Sequence, residues 1–70
     1  MLPLSYAPIG EQNVIRKVSG NTEVKQHLEA LGFTAGAIVS VVSSVNGHLI
    51  VSVKGTRIAL DEKLAVKIMI

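Results

Sequence analysis

Residues Val24 to Val42, VKQHLEALGFTAGAIVSVV, constrain the fold of this chain more than any other stretch. Val24, Leu28 and Leu31 fall at i, i+4 and i+7, so they share one stripe of a helix. Gly32 follows where a helix end needs a left-handed residue, and Phe33 comes next, where a side chain packs back onto the last turn. From Ala37 the apolar period changes from helical to strand-like. A helix this short is not stable alone in water. It must pack on a sheet, and the sheet is where function has to be sought.

Seventy residues make one domain near the lower limit of independent folding. A chain of this size buries only roughly 60% of its unfolded surface, which leaves no room for a deep catalytic cleft. With no cysteine there is no disulfide, thiolate metal site or thiol nucleophile. A hydrophobic fraction of 49% is high for so small a chain, and predicts apolar surface left over for a partner or for self-association. Seven basic and five acidic residues give a net charge of +2, too mild and too scattered for a nucleic-acid footprint. One Tyr and one Phe offer little for stacking bases. No apolar run approaches the roughly 20 residues of a membrane helix, so no direct membrane insertion is expected. The opening MLPLSYAPIG lacks the basic and long apolar regions of a signal peptide, and a cytoplasmic location is the expectation.

Met1 to Gly10 reads as an extended arm, since Pro3 and Pro8 exclude a helix there. Val14 to Val18 is the first strand, although VIRKV does not alternate cleanly. Asn21 or Thr22 caps the helix, with Glu23 placed for its dipole. Asn46-Gly47 between two β-rich runs is the preferred two-residue type I′ loop, pairing Val45 with His48, Val42 with Val51, Val41 with Ser52 and Ser40 with Val53. Gly55-Thr56 suits a second loop of type II′, pairing Lys54 with Arg57, Val53 with Ile58, Ser52 with Ala59 and Val51 with Leu60.

These registers put Ile38, Val42, Leu49, Val51, Val53, Ile58 and Leu60 on one face. The other face then carries Val39, Val41 and Ile50 among polar residues. Either the sheet curls so that both faces contribute to a core, the favoured reading, or these three form a contact strip. Asp61 caps one helical turn, Glu62 to Ala65, before a last strand, Val66 to Ile70. The expected fold is mainly β with one short α-helix: a small five-stranded, partly open barrel of SH3-like type spanning residues 1–70.

The run Leu28, Leu31-Gly32-Phe33-Thr34-Ala35-Gly36 and Val39 resembles the L-x-x-LG-hydrophobic-x-x-G-x-x-V core of the ferrous iron transport protein A (FeoA) family. Gly55 to Leu60, GTRIAL, with Leu64-Ala65 and Ile68, resembles that family's ending, and Leu4-Ser5 with Gly10 its opening. One position departs: Asp61 stands where the family often has a basic residue, so a contact made there by a basic group is not carried over. The resemblance implies a cytoplasmic SH3-like barrel that assists FeoB, a membrane protein with a GTPase domain and the ferrous iron path. The same domain also occurs fused behind metal-dependent repressors. The 70 residues include no DNA-binding helices, so the free-standing form is the expected match. An SH3-like shape does not imply binding of proline-rich peptides, because the aromatic groove is missing.

Candidate chemistry is thin. Ser43, His48 and Asp61 could be assembled into a triad on paper, without a nucleophile elbow or a pocket to support it; no enzyme is expected. Glu23 and His27 lie at i, i+4 and could chelate one ion, with His48 a further weak candidate, yet two ligands do not close a site. The glycines of Gly32 to Gly36 follow a helix, whereas a phosphate loop precedes one, so they shape turns and no cofactor is expected. Interaction remains. The candidate contact residues are Lys25, Leu28 and Glu29 on the helix, Phe33 and Thr34 in the turn, and Val39, Val41 and Ile50 on the sheet; for Leu28 and Leu31 a core role is favoured. The reading is an accessory protein of ferrous iron uptake acting on a FeoB-type transporter. The rival is a metal-sensing regulatory module, and the leftover aliphatics also allow a homo-oligomer through edge strands.

Overall fold

Asn21 starts the helix as the sequence predicts. Its backbone is extended, and its side-chain oxygen accepts the Val24 N–H at 2.9 Å at the head of α1, Thr22–Ala30. The far end is a complete Schellman closure. Gly32 adopts φ +107°, its N–H donates to the Glu29 carbonyl at 3.0 Å, and the Phe33 N–H donates to the Leu28 carbonyl at 3.0 Å. This reversal drives Leu28 and Phe33 into the interior, where both are fully buried. Val24 and Leu31 pack alongside, half-buried.

The computed structural model describes all 70 residues as two antiparallel sheets around that helix-fed core. The remaining elements are β1 (Gln12–Val14), β2 (Lys17–Val18), β3 (Ile38–Val45), β4 (His48–Val53), β5 (Thr56–Asp61), the short helix α2 (Glu62–Ala65) and β6 (Ile68–Met69). One sheet runs β1-β3-β4-β5 and the other pairs β2 with β6. The expected single strand over VIRKV is therefore divided. Its first part pairs with β3 and its second with β6, and the chain changes sheets at Ile15 and Arg16. Ile15 is the pivot: its side chain is buried and its N–H donates to the Ala37 carbonyl at 2.9 Å. A strand that changes sheets presents no constant face, which is why VIRKV fails to alternate.

The expected five strands thus become six, and the two sheets share one core without joining into a continuous hydrogen-bonded barrel. The opening arm also needs correction. After Pro3 the chain makes a 3-10 turn, Leu4–Tyr6, that plants Leu4 in the core. Leu2 and Ile70 exchange backbone hydrogen bonds at 2.9 and 2.8 Å. The last strand is shorter than expected because Val66 stays helical as the C-cap of α2.

The first hairpin forms at Asn46-Gly47 with φ of +49° and +80°, as a type I′ loop requires. Val45 pairs with His48 as expected. Further from the loop the register slips between Val41 and Ser43, so that Val41 faces Val51 and Val39 faces Val53. Val42 is the extra residue of a β-bulge, and one extra residue exchanges the two faces of everything before it. Val39 and Val41 consequently belong to the core, whereas Ile38, assigned to the core by alternation, is 55% exposed. The second loop is Lys54-Gly55, one residue earlier than expected, with φ of +49° and +77°. That shift moves the pairing by two residues and keeps faces unchanged: Val51 meets Ile58 and Leu49 meets Leu60. All twelve buried residues are apolar, so the interior holds no ionisable group with which to do chemistry.

Candidate functional site

Three groups of residues could carry chemistry, and the fold keeps them apart or leaves them unarmed. Glu23 and His27 are exposed on successive turns of α1. His48 stands exposed on β4, opposite Asp61 of β5. Nowhere do three His, Asp or Glu side chains gather closely enough to hold a metal ion. Ser43, His48 and Asp61 do share the outer face of the larger sheet, by alternation from the observed pairings. Yet the Asp61 carboxylate accepts the Lys63 N–H at 2.7 Å as the α2 cap, and neither Ser43 nor His48 makes a side-chain hydrogen bond. A nucleophile needs a base within hydrogen-bond reach, held by a third group. The single recess lies elsewhere, at the α2 end, lined by Ser5, Ser44, Gly47, Leu49 and Glu62, with a volume of about 130 Å³. That is below the several hundred cubic ångströms typical of a small-molecule site.

The surface is better organised than any pocket. Four of the candidate contact residues, Leu28, Phe33, Val39 and Val41, are core residues with at most 2% exposure, which withdraws all four from the contact surface and agrees with the core role favoured for Leu28 and the two valines. Phe33 is carried inward by the Schellman closure, and the two valines by the bulge. Lys25 and Glu29 remain on the exposed flank of α1. Thr34 lies in the turn after that helix, where its hydroxyl accepts from Lys54 Nζ at 3.3 Å. The turn after α1 and the β4–β5 loop thus meet through Thr34 and Lys54. Gly36 secures the turn from behind, its N–H donating to the Ile15 carbonyl at 2.7 Å.

Ile50 is half-buried on the outer sheet face, between Ser43 and Ala59. On the same sheet, Val14 and Ile38 pair across β1 and β3 and are exposed together, at 51% and 55%. Simple alternation misses this apolar pair. The signal was present in adjacent Val41 and Val42: two consecutive apolar residues interrupting V-S-V mark the place where the strand face changes.

The FeoA domain family model matches residues 2–70. Over its 70 residues the chain is 36% identical to a Methanocaldococcus jannaschii protein described as "Putative Fe(2+) transport protein A", covering all of this chain and 85% of that protein. The crystal structure of an iron uptake regulatory protein (FeoA) superposes with a TM-score of 0.89 at 34% identity, over 97% of this chain and 90% of that one. FeoA of Stenotrophomonas maltophilia, complexed with zinc and described as a procaryotic SH3 domain protein, gives 0.82 at 29% identity, over 94% and 85%.

Proposed function

Because the chain belongs to the FeoA domain family, we propose that it is an accessory protein of ferrous iron uptake that acts by contact with a FeoB-type transporter in the cytoplasm. The observation that carries this reading is the family match over nearly the whole chain, to relatives named for iron transport and uptake. The interior supports it from the other side, since an all-apolar core leaves only the surface to act. The SH3-like domain would bias the transporter's cycle by binding one of its conformations more tightly than another. Lys25 and Glu29 on α1, Thr34 in the turn after it and Ile50 on the sheet are the residues this contact would use.

Calorimetry of the chain against the complete transporter, with and without a non-hydrolysable GTP analogue, tests the proposal. Saturable binding that changes with nucleotide state supports it. Failure to bind in either state overturns it. The zinc complex of the S. maltophilia relative raises metal sensing as a second reading. Here Glu23 and His27 lack a third ligand. Tight one-to-one binding of Fe(2+) by the isolated chain would favour that reading instead.

A further inference from the structure

β5 is an edge strand with a free side. It pairs only with β4, and none of the backbone bonds outside the sheets and helices reaches Thr56 to Leu60. The two-residue loop at Lys54-Gly55 makes Val53 and Thr56 a hydrogen-bonded pair, and alternation makes Val51–Ile58 and Leu49–Leu60 the next two. Arg57, Ala59 and Asp61 therefore turn their N–H groups away from β4, and Arg57 and Ala59 their carbonyls as well. The side chains of all three are exposed. α2 packs on β4, β5 and the Leu4–Tyr6 turn, with Ala65 in the core.

The order of charges along the edge selects an occupant. In an antiparallel pairing of two copies centred on Ala59, Ala59 meets its own symmetry mate and Arg57 faces Asp61 of the other copy, twice. The two-fold axis passes between small side chains, and both ion pairs lie on the outer face. Shifting the centre to Arg57 would instead set two guanidinium groups against each other. We propose that β5 is a self-complementary docking edge, which joins two copies of this chain into one continuous sheet by antiparallel pairing about Ala59. This proposal is independent of the transporter reading. A strand edge of six residues gives about four backbone bonds and a small buried area, so the dimer is weak and concentration-dependent.

Sedimentation of the full chain from about 10 μM to about 1 mM reads the association directly. Arg57→Glu and Asp61→Lys should each weaken it at least about tenfold, and an equimolar mixture of the two variants should associate again, because each restores the opposite charge to the other. Asp61 also caps α2, so circular dichroism must show that its variant is folded. Ala59→Pro supplies a test that leaves the cap alone. It removes an N–H that β4 does not use and should abolish the dimer with the domain intact. A monomer throughout the range, or a dimer that survives Ala59→Pro and Arg57→Glu, overturns the proposal, as does failure of two folded charge variants to associate when mixed.

Discussion

The two hairpin loops share a backbone and differ in what holds it. Asn46-Gly47 and Lys54-Gly55 both have φ near +49° followed by a glycine at +80° or +77°. Asn tolerates the left-handed region because its short polar side chain can satisfy itself locally, whereas a lysine there carries strain. At the first loop the turn is written in its own two residues. At the second it is held from outside. Lys54 Nζ donates to Thr34, and the lysine stem runs close to Gly32, where an added Cβ would stand 3.7 Å from Lys54 Cδ. Register adds to this. Looping at Lys54-Gly55 brings Asp61 opposite His48 and starts α2 where the Glu62 N–H reaches the Gly47 carbonyl at 3.2 Å. One hairpin follows local preference; the other obeys its neighbours.

That contrast can be broken first at the bulge. Deleting Val42 lets the two halves of the β3–β4 ladder meet in one unbroken register, with Val41 still opposite Val51 and Ser43 still opposite Ile50, so the faces are kept and what is lost is the local bend; it should cost about 2–3 kcal/mol. A cooperative urea transition at a lower midpoint would show it; an unchanged midpoint would mean the bulge is dispensable. Next come the two loop glycines. Gly47→Ala and Gly55→Ala should each cost about 1–2 kcal/mol, since both positions require positive φ and neither meets a close heavy atom. Equal losses in urea denaturation would show that the loops are alike in backbone.

The first residues should then separate them. Lys54→Asn removes the left-handed lysine and should stabilise the domain by about 0.5 kcal/mol, and Asn46→Lys should destabilise it by at least as much, having no Thr34 to reach. A loss of stability in Lys54→Asn would mean that the outside support outweighs the strain. The smallest effect belongs to that support. Thr34→Val should cost a few tenths of a kcal/mol, because a solvent-exposed Lys–hydroxyl bond is worth little, and the cost should vanish in the Lys54→Asn background.

Features set by neighbouring residues were legible in the sequence. The Asn21 cap, the Gly32 stop, the Asn46-Gly47 loop and the Asp61 cap each depend on a few adjacent side chains, and each stands where the pattern puts it. Features set by closure of the fold were not. The division of VIRKV, the 3-10 turn that seats Leu4 and the Val42 bulge arise because a small sheet must bend to enclose a core, and alternation assumes a straight one. The candidate surface shared this fate. Lys25 and Glu29 were readable as the exposed flank of an amphipathic helix, whereas alternation set Val39 and Val41 on the outer face because a single unpaired residue had been counted as paired, and only the favoured curl of the sheet returned them to the core.

The mutual hydrogen bonds of Leu2 and Ile70 have a consequence for how the domain comes into being. They join residues 68 positions apart, and beside them β2 needs β6 before either is a sheet. During synthesis Leu4 therefore waits for nearly the whole domain to emerge before its partners exist, and loop-closure entropy is overcome late. The same latch brings the two ends within a strand spacing of each other. A covalent link between residues 1 and 70 would cross almost no distance, leaving any exposed loop free to serve as the new pair of ends.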